Sequence, residues 1–150
     1  MDDQRFALLK EVFEQKIAFN KVIGMELVSA ADGKASLRFD MKPELVGNFN
    51  LKILHGGVIS SALDVIGAVA VIAGFKEGSP MFSMGTVDLR TDFLRPGKGQ
   101  RFLATGSVMR HGRILSSSRM ELVNEAGDLI ATGAAVYRVS AKEEFKLVNI

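Results

Sequence analysis

The triplet His55-Gly56-Gly57 heads an almost wholly apolar run over residues 54–74, and that run carries a single carboxylate, Asp64. Glycines at a helix start let a substrate come close to backbone N–H groups that have no partner inside the helix. The positive end of the helix dipole there suits an anion or a polarised carbonyl oxygen. Gly56 and Gly57 could thus form an oxyanion site for acyl transfer, and they would equally serve a tight turn and close packing. Burying an unpaired carboxylate costs several kcal/mol, so Asp64 must be paired, hydrogen-bonded, protonated or turned to a cavity. A structural aspartate bonded to a loop amide satisfies this, and so does a catalytic one.

The spacing narrows the chemistry. Seven residues of helix separate Gly57 from Asp64 by roughly 10 Å along the axis, at about 1.5 Å per residue. A carboxylate and an oxyanion donor that serve one carbonyl must both lie about 3 Å from the reacting atoms. One helix does not readily supply both, whereas two antiparallel copies could, each offering its N-terminus to the other's aspartate.

Other chemistries have less support. Ser60 and Ser61 lie in no Gly-x-Ser-x-Gly elbow, His55 and His111 are the only histidines, and no phosphate-loop or dinucleotide glycine pattern occurs. The absence of cysteine excludes disulfides, a thiolate nucleophile and Cys-ligated metal. Arg90, Arg95, Lys98, Arg101, Arg110 and Arg113 form a basic excess that reads as solvated strand edges or as partners for the phosphates of a carrier.

The elements that must position these residues follow from patterning. Over 5–19, Phe6, Leu9, Val12, Phe13, Ile17 and Ala18 recur at helical spacing, which predicts an amphipathic helix covering a sheet edge or face. Segments 25–31 and 34–40 flank Ala31-Asp32-Gly33, a hairpin turn. Residues 42–53 read as an irregular loop. After the long helix come four strand-like segments, 82–94, 101–112, 113–125 and 129–140, whose turn-rich connections favour an antiparallel meander. The chain of 150 residues, 47% hydrophobic and 24% charged, reads as one α+β domain over 1–150, with the helix inside a curved antiparallel sheet. Residues 1–22 form its N-terminal helix and 141–150 its tail. A net charge of +2 gives no general case for nucleic acid or membrane binding. Asp64 interrupts the longest apolar stretch short of a clean membrane span, and the polar N-terminus carries no signal core, so a cytoplasmic protein is expected.

At His55-Gly56-Gly57 with Asp64 nine residues after the histidine, the sequence resembles the PaaI-like branch of the hotdog-fold acyl-CoA thioesterases. "TVDLRTDFLRPGKG" and "ATGSVMRHGRILSSSRMELVNEAGDLIATG" extend the likeness over about 24–140. The resemblance implies a hotdog fold, a homodimer with a continuous sheet, often a dimer of dimers, and a site shared between subunits. It implies Asp64 as general base or nucleophile on an acyl-CoA thioester, with no metal or redox cofactor. The Gly57 amide, helped by His55, would polarise the carbonyl, and Thr86 would orient water or be an ordinary strand threonine. Gly56, Val87, Gly112 and Arg113 would lie along the substrate and its pantetheine and nucleotide arm. Where relatives commonly carry asparagine, six residues before the histidine, this chain has Phe49, so Asn50 or Asn48 would have to serve. A hotdog hydratase and a non-catalytic acyl-CoA binding module are the competing readings.

Overall fold

A computed structural model describes residues 1–76 and 82–141. The core helix α3 (Gly56–Ala73) buries ten of its 18 residues, among them Leu63, Ile66 and Val69. Long and apolar enough to cross a membrane, and not cut short by Asp64 as expected, it lies instead against the sheet. Two glycines set how closely they approach. A Cβ at Gly106 would meet the Ile66 carbonyl at 2.7 Å, and one at Gly67 would strike the Tyr137 hydroxyl.

The hairpin β1 (Glu26–Ala31) and β2 (Lys34–Asp40) turns at Asp32 and Gly33, with φ of 49° and 73°. Positive φ at both central residues gives the twist that adjoining strands need. β6 (Arg101–Arg110), β7 (Leu115–Asn124) and β8 (Leu129–Ala141) continue the antiparallel sheet, but β5 (Phe82–Phe93) pairs with β8, giving the order β1-β2-β6-β7-β8-β5. The expected meander therefore holds for β6–β8 only. Local turn chemistry at Arg95-Pro96-Gly97 reads as a hairpin; in fact the connection crosses the sheet end. There the Leu94 and Arg95 N–H groups donate to the Ile130 carbonyl, Leu54 N–H donates to Gly97, and Glu125 accepts from the amides of Gln100 and Arg101. These amide bonds pull the Glu125 carboxyl below its ordinary pKa.

The segment 42–53 is also more ordered than expected. A 3-10 turn at Pro43–Leu45 leads into β3 (Val46–Asn48), which pairs with β4 (Ile53–Leu54). Asn48 Oδ1 accepts from the amides of Asn50 and Leu51, closing the tip by side-chain hydrogen bonds that hydrophobic periodicity does not signal.

The N-terminal helix is broken. α1 (Asp3–Lys10) runs into a π-helical turn at Glu11–Lys16, the chain extends at Ile17, and α2 (Ala18–Ile23) ends at Gly24, φ 80°. Ile17 and Ala18, expected on the buried face, are exposed; Asn20 and Ile23 are buried in their place. Asn20 Nδ2 donates to the Phe13 carbonyl across the break. The segment does cover an edge: where β1 bulges, Glu14 accepts from Leu27 N–H and Lys10 donates to the Leu27 carbonyl. This satisfies backbone groups that the irregular ladder leaves over. Of the tail expected over 141–150, residues 142–150 lie outside the described residues.

Candidate active site

Asp64 sits half-buried in the middle of α3. The hydroxyl of Thr86 on β5 donates to Asp64 Oδ1 at 2.9 Å. Thr86 reaches it from a bulge: Thr86 pairs with Tyr137 and Asp88 with Val136, so Val87 is the extra residue, 60% exposed. Bulges of this kind re-aim side chains beside functional sites. No hydrogen bond to the second carboxylate oxygen is formed at ordinary distance among the described residues, although the Tyr137 hydroxyl also interacts with the carboxylate. Since no buried side-chain oxygen among them lacks a hydrogen-bond partner, that atom is open to solvent or substrate. An aspartate fixed by one oxygen and open at the other can accept a proton or attack a carbon.

Tyr137 holds the same turn of helix from below. Its hydroxyl donates to the Asp64 backbone carbonyl at 2.8 Å, and its side chain is fully buried. Burial, and then the Asp64 charge, push the phenol well above its ordinary pKa, so it remains a donor. Thr86 and Tyr137 are register partners on adjacent strands, so one rung of the sheet fixes both the carboxylate and the backbone of Asp64. Sequence reasoning missed Tyr137, although a lone tyrosine in an apolar strand is a residue whose hydroxyl needs a buried partner.

At the helix start, His55 is the N-cap, and its Nδ1 accepts from Gly57 N–H at 2.9 Å. The expected oxyanion donor is therefore engaged by the neighbouring ring. The Gly56 N–H, by contrast, meets no acceptor among the described residues. The two glycines have different physical reasons. A Cβ on Gly57 would come 2.9 Å from His55 Nδ1, whereas one on Gly56 would face the Phe93 ring at 3.4 Å. With Nδ1 accepting, neutral His55 carries its proton on Nε2 and presents a second donor.

The remaining predicted residues lie further apart. Asn50 is exposed at the β3–β4 tip, and its side chain pairs with nothing among the described residues, while Asn48 builds the turn. Gly112 and Arg113 form the β6–β7 turn, where a Cβ on Gly112 would strike the Leu115 carbonyl. The adjacent His111 packs edge-on against Phe75, 4.7 Å between centroids, just past the C-terminal end of α3. Within one chain this turn stands at the opposite end of the helix from His55. Among the described residues no three His, Asp or Glu side chains gather as a metal-binding group.

A long apolar helix packed against a six-stranded antiparallel sheet is the hotdog arrangement. The family model of the thioesterase superfamily matches residues 51–131. The chain is 40% identical over 147 residues to the medium/long-chain acyl-CoA thioesterase YigI of Escherichia coli (strain K12), covering 91% of this chain and 95% of that one. It is 34% identical over 118 residues to acyl-coenzyme A thioesterase 13 of Homo sapiens, covering 77% and 80%. A solved protein from Shewanella oneidensis, related to the thioesterase superfamily, superposes with a TM-score of 0.80 at 35% identity, over 93% of this chain and all of that one (100%). The E. coli PaaI protein of the phenylacetic acid degradation operon shares the fold, with a TM-score of 0.78 at 20% identity over 92% of this chain and 95% of its own. This chain belongs to the thioesterase superfamily.

Proposed function

We propose that the protein hydrolyses medium- to long-chain acyl-CoA thioesters to a carboxylic acid and free CoA, with Asp64 as the general base. The observation that carries the reading is an Asp64 carboxylate held by Thr86 through one oxygen and open at the other. Its open oxygen takes a proton from water as the water oxygen bonds to the thioester carbon. The carbonyl electrons shift to oxygen, which the Gly56 N–H and His55 Nε2–H stabilise. Collapse of that intermediate breaks the C–S bond, and the proton passes to the departing sulfur. No metal or redox cofactor enters this chemistry. The kinship with YigI and acyl-coenzyme A thioesterase 13 supports the substrate class.

The donor and the base come from different subunits of a homodimer, and dimers pair further. Two features support the dimer: Gly56 and Asp64 lie about 12 Å apart along one helix axis, and among the described residues β5 is a sheet edge that pairs with β8 alone. The turn at Gly112 and Arg113 then serves the nucleotide arm, away from the thioester, and Val87 lies along the pantetheine. Release of free thiol from a panel of acyl-CoAs tests the reading, beside an ultraviolet assay of enoyl-CoA hydration. Thiol release without hydration is expected; hydration without thiol release would overturn it.

A further inference from the structure

Beside the first turn of α3 opens a groove of about 370 Å³. Ile53 and Leu54 of β4 and Ile59 of α3 form one side, and Phe93, Leu94 and Pro96 the other. Gly56 borders it, where a side-chain Cβ would meet the Phe93 ring at 3.4 Å. Resting on the acyl-CoA reading above, we propose that this groove takes the acyl chain and that Phe93 and Leu94 set the chain length accepted.

Two arms leave a thioester carbonyl, and their chemistries differ. The pantetheine arm carries amides that need hydrogen-bond partners, whereas the acyl chain needs only apolar contact. The groove offers the second and not the first. Several of its backbone donors are engaged inside the protein: Leu54 N–H on Gly97, and Leu94 and Arg95 N–H on Ile130. Pro96 has none to give. The Arg95 guanidinium is turned to the Leu129 carbonyl. Against this, Phe93 and Leu94 are 56% and 49% exposed, apolar side chains left open beside a site. The free Gly56 N–H stands at the groove's border, so a carbonyl docked on it directs its chain inward. A larger hollow of about 770 Å³ on the sheet, where Leu103 and Met109 stand beside Lys34, Asp92, Arg119 and Glu121, has neither Gly56 nor Asp64 in its lining.

The test compares kcat/KM for saturated acyl-CoAs from acetyl to palmitoyl in the wild type, Leu94→Trp and Phe93→Ala. Each methylene that enters the groove should raise the wild-type value by up to about fourfold, until the groove is full. Leu94→Trp fills the space, so its plateau should come at a shorter chain and its ratio of palmitoyl to acetyl activity should fall at least ~10-fold, since several methylenes are displaced. Phe93→Ala removes a wall, and the same ratio should fall less. Thermal melting within a few degrees of wild type shows that each variant is folded. If both folded variants keep the wild-type ratio, scaling all chain lengths alike, the groove is not the acyl site. If the wild type releases thiol from no acyl-CoA, the functional reading itself fails and the assignment falls with it.

Discussion

The two ends of α3 are treated in opposite ways. At the C-terminal end, Arg5 reaches over from the N-terminal helix and donates through Nη1 to the carbonyls of Phe75 and Lys76 and through Nη2 to Ile72. Gly74 N–H donates back to Ala70 and Val71. A cation on the negative end of a helix dipole satisfies both hydrogen bonding and charge. At the other end only a neutral imidazole caps, and it takes the Gly57 N–H while leaving that of Gly56 open. The difference teaches where this fold spends polar partners: it closes the end that only has to be stable and leaves a donor at the end that has to bind.

Changing each end, and the aspartate between them, should therefore give separable effects. Asp64→Asn keeps size but removes the proton acceptor, so kcat should fall by about 10²–10⁴-fold, while the melting temperature hardly moves. A structural Asp64 would show the reverse, lost stability with normal turnover per folded molecule. Gly56→Pro deletes the open donor at the first helical position, where proline is well tolerated. His55, at φ −65° and ψ 135°, already has the extended conformation that a following proline requires. A loss of about 10²–10³-fold in kcat is expected for a missing oxyanion donor, with the fold intact by circular dichroism. Equal loss of activity and of folded protein would erase the contrast between the ends.

At the closed end, Arg5→Ala should cost about 1.5–3 kcal/mol in denaturant unfolding, since it removes charge-assisted bonds to helix carbonyls. Turnover per folded molecule should stay near wild type. The smallest effect concerns His111, whose packing at this end shields the ring and lowers its pKa from the ordinary value. The unfolded chain then binds the proton more readily than the folded one, so this contribution to stability is present above the ordinary histidine pKa and is lost as pH falls through the folded value. Melting temperatures between pH 7.5 and 5 should decline in the wild type and decline less in His111→Gln.

How much of this could be read beforehand varies with the physics involved. The core helix, its lone acid and the Asp32-Gly33 hairpin were legible because periodicity and turn chemistry are local. The position of β5 was not, because Arg95-Pro96-Gly97 looks the same whether the chain turns back or crosses the sheet end. Nor could spacing tell which glycine keeps its donor, since that depends on how the His55 ring folds onto Gly57. The break at Ile17 was hidden for a related reason. Helical spacing continues through it, and the buried Asn20 that bridges it is a polar residue on a face expected to be apolar. Arg5 and Tyr137 act over 67 or more positions in sequence, beyond the reach of any local pattern.

The central claim is that the open N–H of one subunit works with the Asp64 of the other. Mixing Asp64→Asn and Gly56→Pro proteins under conditions of subunit exchange tests it most directly. Random pairing makes half the dimers mixed, and one of the two shared sites in each would carry both intact groups, so thioester turnover should rise to about a quarter of wild type. If the mixture, with exchange verified by mass spectrometry, shows only the average of its two inactive parents, the shared site is wrong.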